Sequence, residues 1–144
     1  MDKRLGCESS RIMRRLKSIK KTIMTEITIN PAKQTLSVLV KSQSMHVYAI
    51  SITVFDSDKE KIEHYTGKID VNGEFTIAFT LKTSEAKGKY INFLFTIVSP
   101  DGKDSQYSAV ISILEDNKAI QPELEISGCT LYGESTNVAR FHLK

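Results

Sequence analysis

Apolar and polar residues alternate with a period of two through most of this chain, and that pattern constrains its fold more than any other feature. Successive side chains of a β-strand point to opposite faces, so the alternation predicts strands with one buried face. Six such runs follow one another: 36–40, 48–54, 62–69, 75–81, 91–97 and 107–113. In the fifth run Ile91, Phe93, Phe95 and Ile97 form the most apolar face, with Leu94 and Val98 on its reverse. This run is therefore predicted to be a central strand.

Turn residues separate most of the runs. Gly73, Gly88 and Gly102 each lie between two successive runs, and Asn72-Gly73 is typical of a type I′ hairpin in which Gly73 has a positive φ. Six strands without an intervening helix predict an all-β, antiparallel sandwich. We expect one contiguous core formed by Ile52, Phe75, Ile77, Phe79, Phe93 and Phe95.

The pattern changes after Leu114. A polar connection, residues 115–118, and Pro122 precede two further β-like runs, 124–132 and 137–143. These runs predict an extra C-terminal β-hairpin over residues 122–144. The sequence leaves two placements open, because the hairpin could extend one sheet or lie across the sandwich as a lid.

The length of 144 residues fits one domain. A hydrophobic content of 40% and a charged content of 26% are those of a globular protein and exclude the disordered and low-complexity classes. We expect a basic leader over residues 1–24 and one β-sandwich domain over 25–144, with its core module at 34–114. A strand is also expected at Thr25–Ile29.

The leader carries most of the positive charge. Residues 1–24 hold eight basic and two acidic residues, a net charge of +6, whereas the other 120 residues hold 12 basic and 15 acidic, a net charge of −3. An apolar stripe of Ile12, Leu16, Ile19 and Ile23 has helical spacing. The residues expected to contact an anionic surface are Arg11, Arg14, Arg15, Lys17, Lys20 and Lys21.

Several interpretations of the leader stay open. It is a membrane-surface anchor, a nucleic-acid arm or a partner-binding helix. Otherwise it is a frayed terminal segment, or translation begins at Met24 and the leader is not part of the natural protein. In each case we expect deletion of residues 1–23 to leave the melting temperature nearly unchanged. The leader has no apolar signal-peptide region and the chain no run of about 20 apolar residues, so the default expectation for location is the cytoplasm.

The turn and strand-end motifs resemble those of immunoglobulin-like modules in prokaryotic surface and multidomain proteins. The resemblance covers about residues 34–114 and rests on an apolar strand that ends in Asp56, Asn72-Gly73 before an aromatic strand, Gly88-Lys89-Tyr90, and Pro100-Asp101-Gly102. It implies an immunoglobulin-like sandwich in which the hydroxyl of Tyr90 bonds back to nearby backbone. Such a fold is shared by many unrelated functions.

No motif indicates an enzyme, a cofactor or a small-molecule substrate. Asp56, Asp58 and Glu60 lack the Gly and Glu positions of a calcium loop, and we interpret them as a solvated acidic turn. His46, His64 and His142 have no metal-binding spacing. Cys7 and Cys129 are expected to be free thiols, since a disulfide between them would have to join two peripheral segments.

We therefore expect a non-catalytic structural or protein-interaction module that contacts another protein or a second copy of this chain. One alternative is a carbohydrate-binding module, in which tyrosines on one sheet face would stack on sugar rings. The five candidates are Tyr48, Tyr65, Tyr90, Tyr107 and Tyr132. The other alternative is an adaptor that uses the basic leader to bind an anionic membrane or nucleic acid.

Overall fold

A computed structural model describes residues 24–71 and 73–144 and folds them into nine strands and one short helix. In chain order the elements are β1 (Met24–Ile27), β2 (Leu36–Ser42), β3 (Val47–Phe55), β4 (Lys61–Ile69), β5 (Glu74–Ala78), α1 (Thr83–Ala86), β6 (Tyr90–Val98), β7 (Gln106–Glu115), β8 (Lys118–Cys129) and β9 (Glu134–Leu143). The predicted all-β class is confirmed. Each of the six predicted runs corresponds to one strand, β2 to β7.

The strands form two sheets. The order in the five-stranded sheet is β1-β9-β6-β3-β4, and the order in the four-stranded sheet is β5-β2-β7-β8. Neighbouring strands are antiparallel except β1 and β9, which run parallel. The predicted central position of the fifth run is confirmed, because β6 is the middle strand of the five-stranded sheet.

One hydrophobic core joins the two sheets. Its largest fully buried side chains include Tyr48, Phe93, Phe95 and Phe141. Ile52 and Phe79 belong to the same cluster, as expected, whereas Phe75 and Ile77 are half-buried and pack against it. The last two side chains lie on β5, which is an edge strand and so is covered by a neighbouring strand on one side only.

The predicted Asn72-Gly73 hairpin is wrong. The N–H of Gly73 donates to the carbonyl of Asp70 at 2.9 Å, the bond between the fourth and first residues of a turn, whereas the predicted hairpin would have Gly73 as the third residue of its turn. The flanking strands β4 and β5 belong to different sheets. The connection therefore crosses between the sheets, and a type I′ geometry is not required.

A two-residue turn with the expected backbone occurs elsewhere, in the polar connection between β7 and β8. Asp116 and Asn117 both have positive φ, 49° and 68°, and Glu115 pairs with Lys118. These angles are those of a type I′ hairpin. The Asp116 carboxylate accepts hydrogen bonds from the backbone N–H of Thr35 at 2.9 Å and of Gln34 at 3.1 Å, which lowers the pKa of Asp116 and ties the turn to the start of β2.

The expected C-terminal hairpin also needs correction. A tight turn at Tyr132 and Gly133, with φ of 56° and 79°, does join the last two strands. Beyond it, however, β8 extends the four-stranded sheet and β9 pairs with β6 in the five-stranded sheet. The two strands thus close one side of the sandwich instead of forming an added hairpin.

Cys129 lies at the end of β8, is fully buried and is disulfide-bonded. The expectation of a free thiol is wrong at this position. Cys7 and the rest of the predicted leader over residues 1–23 lie outside the described residues. Within residues 24–71 and 73–144, no helix is long and apolar enough to cross a membrane.

Candidate functional site

A polar cleft of about 930 Å³ lies at one end of the sandwich. The β2–β3 connection, residues 43–46, and the β6–β7 connection, residues 99–105, form two of its sides, and the end of β8 forms a third. Serine is the most frequent residue in its lining, which includes Ser44, Ser99, Ser105, Ser108 and Ser127. Met45 and Val71 add exposed apolar surface at the rim.

His46 is the centre of a hydrogen-bond network beneath this cleft. Its side chain is buried, with Nδ1 at 2.9 Å from Ser44 Oγ and Nε2 at 2.8 Å from Ser105 Oγ. Ser44 Oγ also lies 2.9 Å from the hydroxyl of Tyr48, and that hydroxyl donates to the carbonyl of Ser108 at 2.9 Å. Residues 44, 46 and 48 are thereby linked to the β6–β7 region.

The network fixes the direction of each proton, because its last acceptor is a backbone carbonyl. Tyr48 has one hydroxyl hydrogen and donates it to Ser108, so the hydroxyl oxygen of Tyr48 must accept from Ser44. Ser44 must then accept from Nδ1–H of His46. The neutral imidazole consequently accepts at Nε2, where the hydroxyl of Ser105 donates.

Burial and nearby charge act in opposite directions on His46. Burial lowers its pKa, while the carboxylate of Asp101 raises it, and the net shift is downward. The hydroxyl of Ser99 and the backbone N–H of Lys103 both donate to Asp101, which lowers the pKa of that carboxyl. The cleft thus combines a neutral histidine with an ionised aspartate at neutral pH.

Ser105 and His46 lie at the separation of a nucleophile–base pair. The second nitrogen of His46 faces a hydroxyl rather than a carboxylate, so no anion stabilises a charged imidazole there. In addition, the backbone N–H of Ser105 donates to Thr130 Oγ1 at 2.9 Å. The pair therefore holds the Ser105 oxygen as an ordered hydrogen-bond acceptor in the cleft.

A second surface is the solvent-facing side of the five-stranded sheet, which we call the outer face. It is formed mainly by the outward side chains of β9, β6 and β3. Leu94 is 50% exposed, Val98 42% and Val138 45%, and Leu94 lies directly opposite Val138 on the neighbouring strand. Leu94 and Val138 are thus aliphatic side chains in the middle of a sheet, where an exposed face normally carries polar residues, and Val98 extends the apolar surface to the end of β6.

Aromatic and polar side chains continue the outer face at one end. The ring of Tyr90 stacks on His142 at a centroid distance of 4.5 Å, and Arg140 Nε donates to Asn92 Oδ1 at 2.6 Å. A groove of about 470 Å³ lies here, lined by Tyr90, Asn92, Arg140 and Phe55 among others. The outer face thus joins an aliphatic centre to an end that carries aromatic rings and charged side chains, with Lys59 and Asp56 lining the groove beside Arg140.

Of the candidate residues considered in the sequence, the acidic turn and the histidines lie in the part of the chain that the structure describes. Arg11, Arg14, Arg15, Lys17, Lys20 and Lys21 lie outside the described residues. Asp56 accepts from the backbone N–H groups of Asp58 and Glu60 and so closes its own turn. His64 Nδ1 lies 3.0 Å from Thr53 Oγ1, a pair that the His46 network does not include. Over the part of the chain that the structure describes, no group of three or more side chains could hold a metal ion.

The five tyrosines do not form one stacking platform. Tyr48 and Tyr107 are buried, and Tyr65 packs against Phe79. One face of the Tyr90 ring is covered by His142, and Tyr132, which is 93% exposed, lies in the β8–β9 turn. They therefore lack the shared plane that a sugar-binding surface would need.

Sequence reasoning missed the His46 network and did not assign the outer face to a function. A signal was present for each. Ser44, His46 and Tyr48 alternate and so can share one side of an extended segment, and Leu94 and Val98 stand on the reverse of the most apolar strand.

No family model matches the chain, and no curated protein matches it either. Among solved structures, the chain is similar to a domain of unknown function, DUF4425, from Bacteroides vulgatus. The TM-score is 0.46 at 11% sequence identity, and the likeness covers 75% of this chain and 93% of that chain. A likeness at this level assigns neither a family nor an activity.

Proposed function

We propose that this protein is a non-catalytic protein-interaction module with an immunoglobulin-like sandwich, and that it contacts its protein partner through the outer face. The observation that carries the proposal is the exposure of Leu94 and Val138 in the centre of a sheet, with Val98 exposed at the end of the same strand as Leu94. Exposed aliphatic groups grouped on one face are typical of interaction sites.

The order of the strands supports the immunoglobulin-like architecture. Strand β2 lies in the four-stranded sheet, β3 and β4 in the five-stranded sheet, β5 in the four-stranded sheet and β6 in the five-stranded sheet. Immunoglobulin strands B, C, C′, E and F alternate in the same way, with E beside B and with C between C′ and F. Here β5 lies beside β2, and β3 lies between β4 and β6. In contrast, β7 returns to β2 and β9 takes the place beside β6.

The composition of the outer face supports a protein partner. The outward positions of β6 and β3 carry no charged residue, and Arg140, Tyr90, Phe55 and Met24 line the groove at one end of the face. An uncharged centre next to aromatic residues, methionine and arginine is a composition found at protein–protein interfaces. The scattered tyrosines favour this partner over a carbohydrate.

A photo-crosslinking residue at position 94 tests the proposal. A matched control carries the same residue at Glu125, which is exposed on β8 in the other sheet. Both proteins are irradiated in the native cells, the partner trapped from position 94 is identified and purified, and its binding to wild type and to Leu94→Asp is measured by calorimetry. If the trapped partner is the chain itself, sedimentation replaces calorimetry.

We expect an adduct from position 94 and none from position 125. Leu94→Asp should weaken binding at least tenfold, because it places an uncompensated carboxylate in an apolar contact. Equal adducts from both positions, no adduct from position 94, or unchanged binding by Leu94→Asp would overturn the proposal.

A further inference from the structure

We propose that the partner seated on the outer face is a second copy of this chain, related by a two-fold axis that lies between the two faces and perpendicular to the strands. This inference rests on the proposed function, since it uses the same surface. It adds the identity of the partner and the register of the contact.

The charges along β9 carry the inference. The outward residues of this strand are Glu134, Thr136, Val138, Arg140 and His142, so an anion stands at one end and a cation near the other. The two charged residues are each three positions from Asn137. An axis that passes over Asn137 therefore brings Glu134 of each copy opposite Arg140 of the other, and forms the same ion pair twice.

The side chain of Arg140 has donors left for such a contact. Its Nε donates to Asn92 Oδ1 at 2.6 Å, and its two terminal nitrogens carry four further N–H donors. Packed sheets lie about 10 Å apart, a gap that an arginine and a glutamate can span together.

The neighbouring strand fits the same axis. Phe95 lies opposite Asn137, so the two-fold relation places Leu94 of each copy against Thr96 of the other. On β9 itself, Val138 faces Thr136 of the second copy. At the centre an aliphatic group then meets a threonine on each of these two strands, and no charged residue lies there. Self-complementarity of this kind is what a two-fold interface requires.

The size of the face suits a weak dimer. One strand of four residues and four strands of nine or ten residues, spaced about 4.8 Å apart at about 3.3 Å per residue, give a face of roughly 650 Å². A specific interface of standard size covers about 800 Å² on each partner, and the smallest cover about 600 Å². The outer face is thus below standard size and suits only a weak dimer that uses nearly all of it.

Charge reversal tests the register. The purified chain, with its disulfide intact, is examined by sedimentation equilibrium over a wide concentration range as wild type, Glu134→Arg, Arg140→Glu and the double variant. Glu125→Arg, which makes the same change of charge on the other sheet, is the control, and thermal unfolding checks that every variant is folded.

We expect wild type and Glu125→Arg to reach twice the 16.2 kDa mass of one chain. Each reversal within the predicted pair should weaken dimerisation by about tenfold or more, because like charges then face each other, and the double variant should return to within about threefold of wild type.

Three results would overturn the inference: a wild type that stays monomeric at every concentration, single reversals without effect, or a double variant that is not restored. The proposed function fails separately. A monomeric chain that still binds a different purified protein through Leu94 would refute the second copy and leave the interaction face standing. If position 94 captures nothing, both proposals fall.

Discussion

Replacement of Phe93 by alanine should be among the most destabilising single changes in the domain. Phe93 is 1% exposed on the central strand β6, its ring lies parallel to Phe95 at 6.0 Å, and it meets Phe141 edge-on at 5.9 Å. Truncation of a buried phenylalanine costs about 3–5 kcal/mol. Since both ring contacts are lost and the central strand cannot move inward easily, we expect about 4 kcal/mol from a total of roughly 5–15 kcal/mol.

Urea unfolding at 25 °C, followed by circular dichroism, measures this loss as a shift of the midpoint at unchanged slope. At about 3 °C per kcal/mol, the melting temperature should fall by about 12 °C. Leu94→Ala is the matched control, because Leu94 is the next residue but is half exposed on the outer face. At a concentration at which the chain is monomeric, Leu94→Ala should cost less than about 1 kcal/mol. Equal losses for the two variants would refute the assignment of core and outer face on β6.

The remaining predictions concern the cleft, the turns and the disulfide. Burial lowers the pKa of His46 in the folded protein, so the unfolded chain binds a proton at this side chain more readily. Stability should therefore fall as pH drops below about 6.5. His46→Gln should flatten this pH dependence in urea unfolding, and an equal dependence of stability on pH in both proteins would contradict the prediction. Gly133 has a φ of +79°, and a Cβ there would lie 2.8 Å from a facing backbone oxygen. Gly133→Ala should therefore lower the free energy of unfolding by at least about 2 kcal/mol. Gly88 has a φ of +86° but open space around it, so Gly88→Ala should cost less in the same assay. If the module is non-catalytic, wild type and Ser105→Ala should hydrolyse p-nitrophenyl acetate equally, and a rate that depends on Ser105 would refute it. Reduction should lower stability by about 2–4 kcal/mol, and labelling of Cys129 by a thiol reagent in the unreduced, urea-unfolded protein would contradict its disulfide.

The strands could be predicted from the sequence because burial on one face imposes a period of two. That period does not say which strands pair. The 75–81 run shows that the period also does not fix where a strand ends. The run continues to residue 81, but β5 ends at Ala78, the residue that pairs with Ser37 of β2. The final two runs were predicted to pair with each other because they are adjacent in sequence. In the structure β8 belongs to the four-stranded sheet and β9 to the five-stranded sheet.

Turn chemistry was informative only in part. Asn72-Gly73 satisfies the residue preference for a type I′ hairpin, but its flanking strands belong to different sheets. Asp116-Asn117 forms the turn without glycine, since short polar side chains tolerate a positive φ. Residue type alone could not distinguish the two.

The candidate site was predictable to a lesser degree. Ser44, His46 and Tyr48 are close in sequence, but Ser105 is 59 residues from His46 and reaches it only through the fold. The outer face depends on sheet order in the same way, because Leu94 and Val138 are neighbours only once β9 pairs with β6.

The central claim, that the outer face is the interaction surface, is tested most directly by methyl NMR of the chain as its concentration is raised. We expect the methyl signals of Leu94, Val98 and Val138 to shift together along one binding curve, while that of Met45 in the cleft stays fixed. Shifts confined to Met45, or signals of the three outer-face residues that do not move with concentration or on addition of the trapped partner, would contradict it.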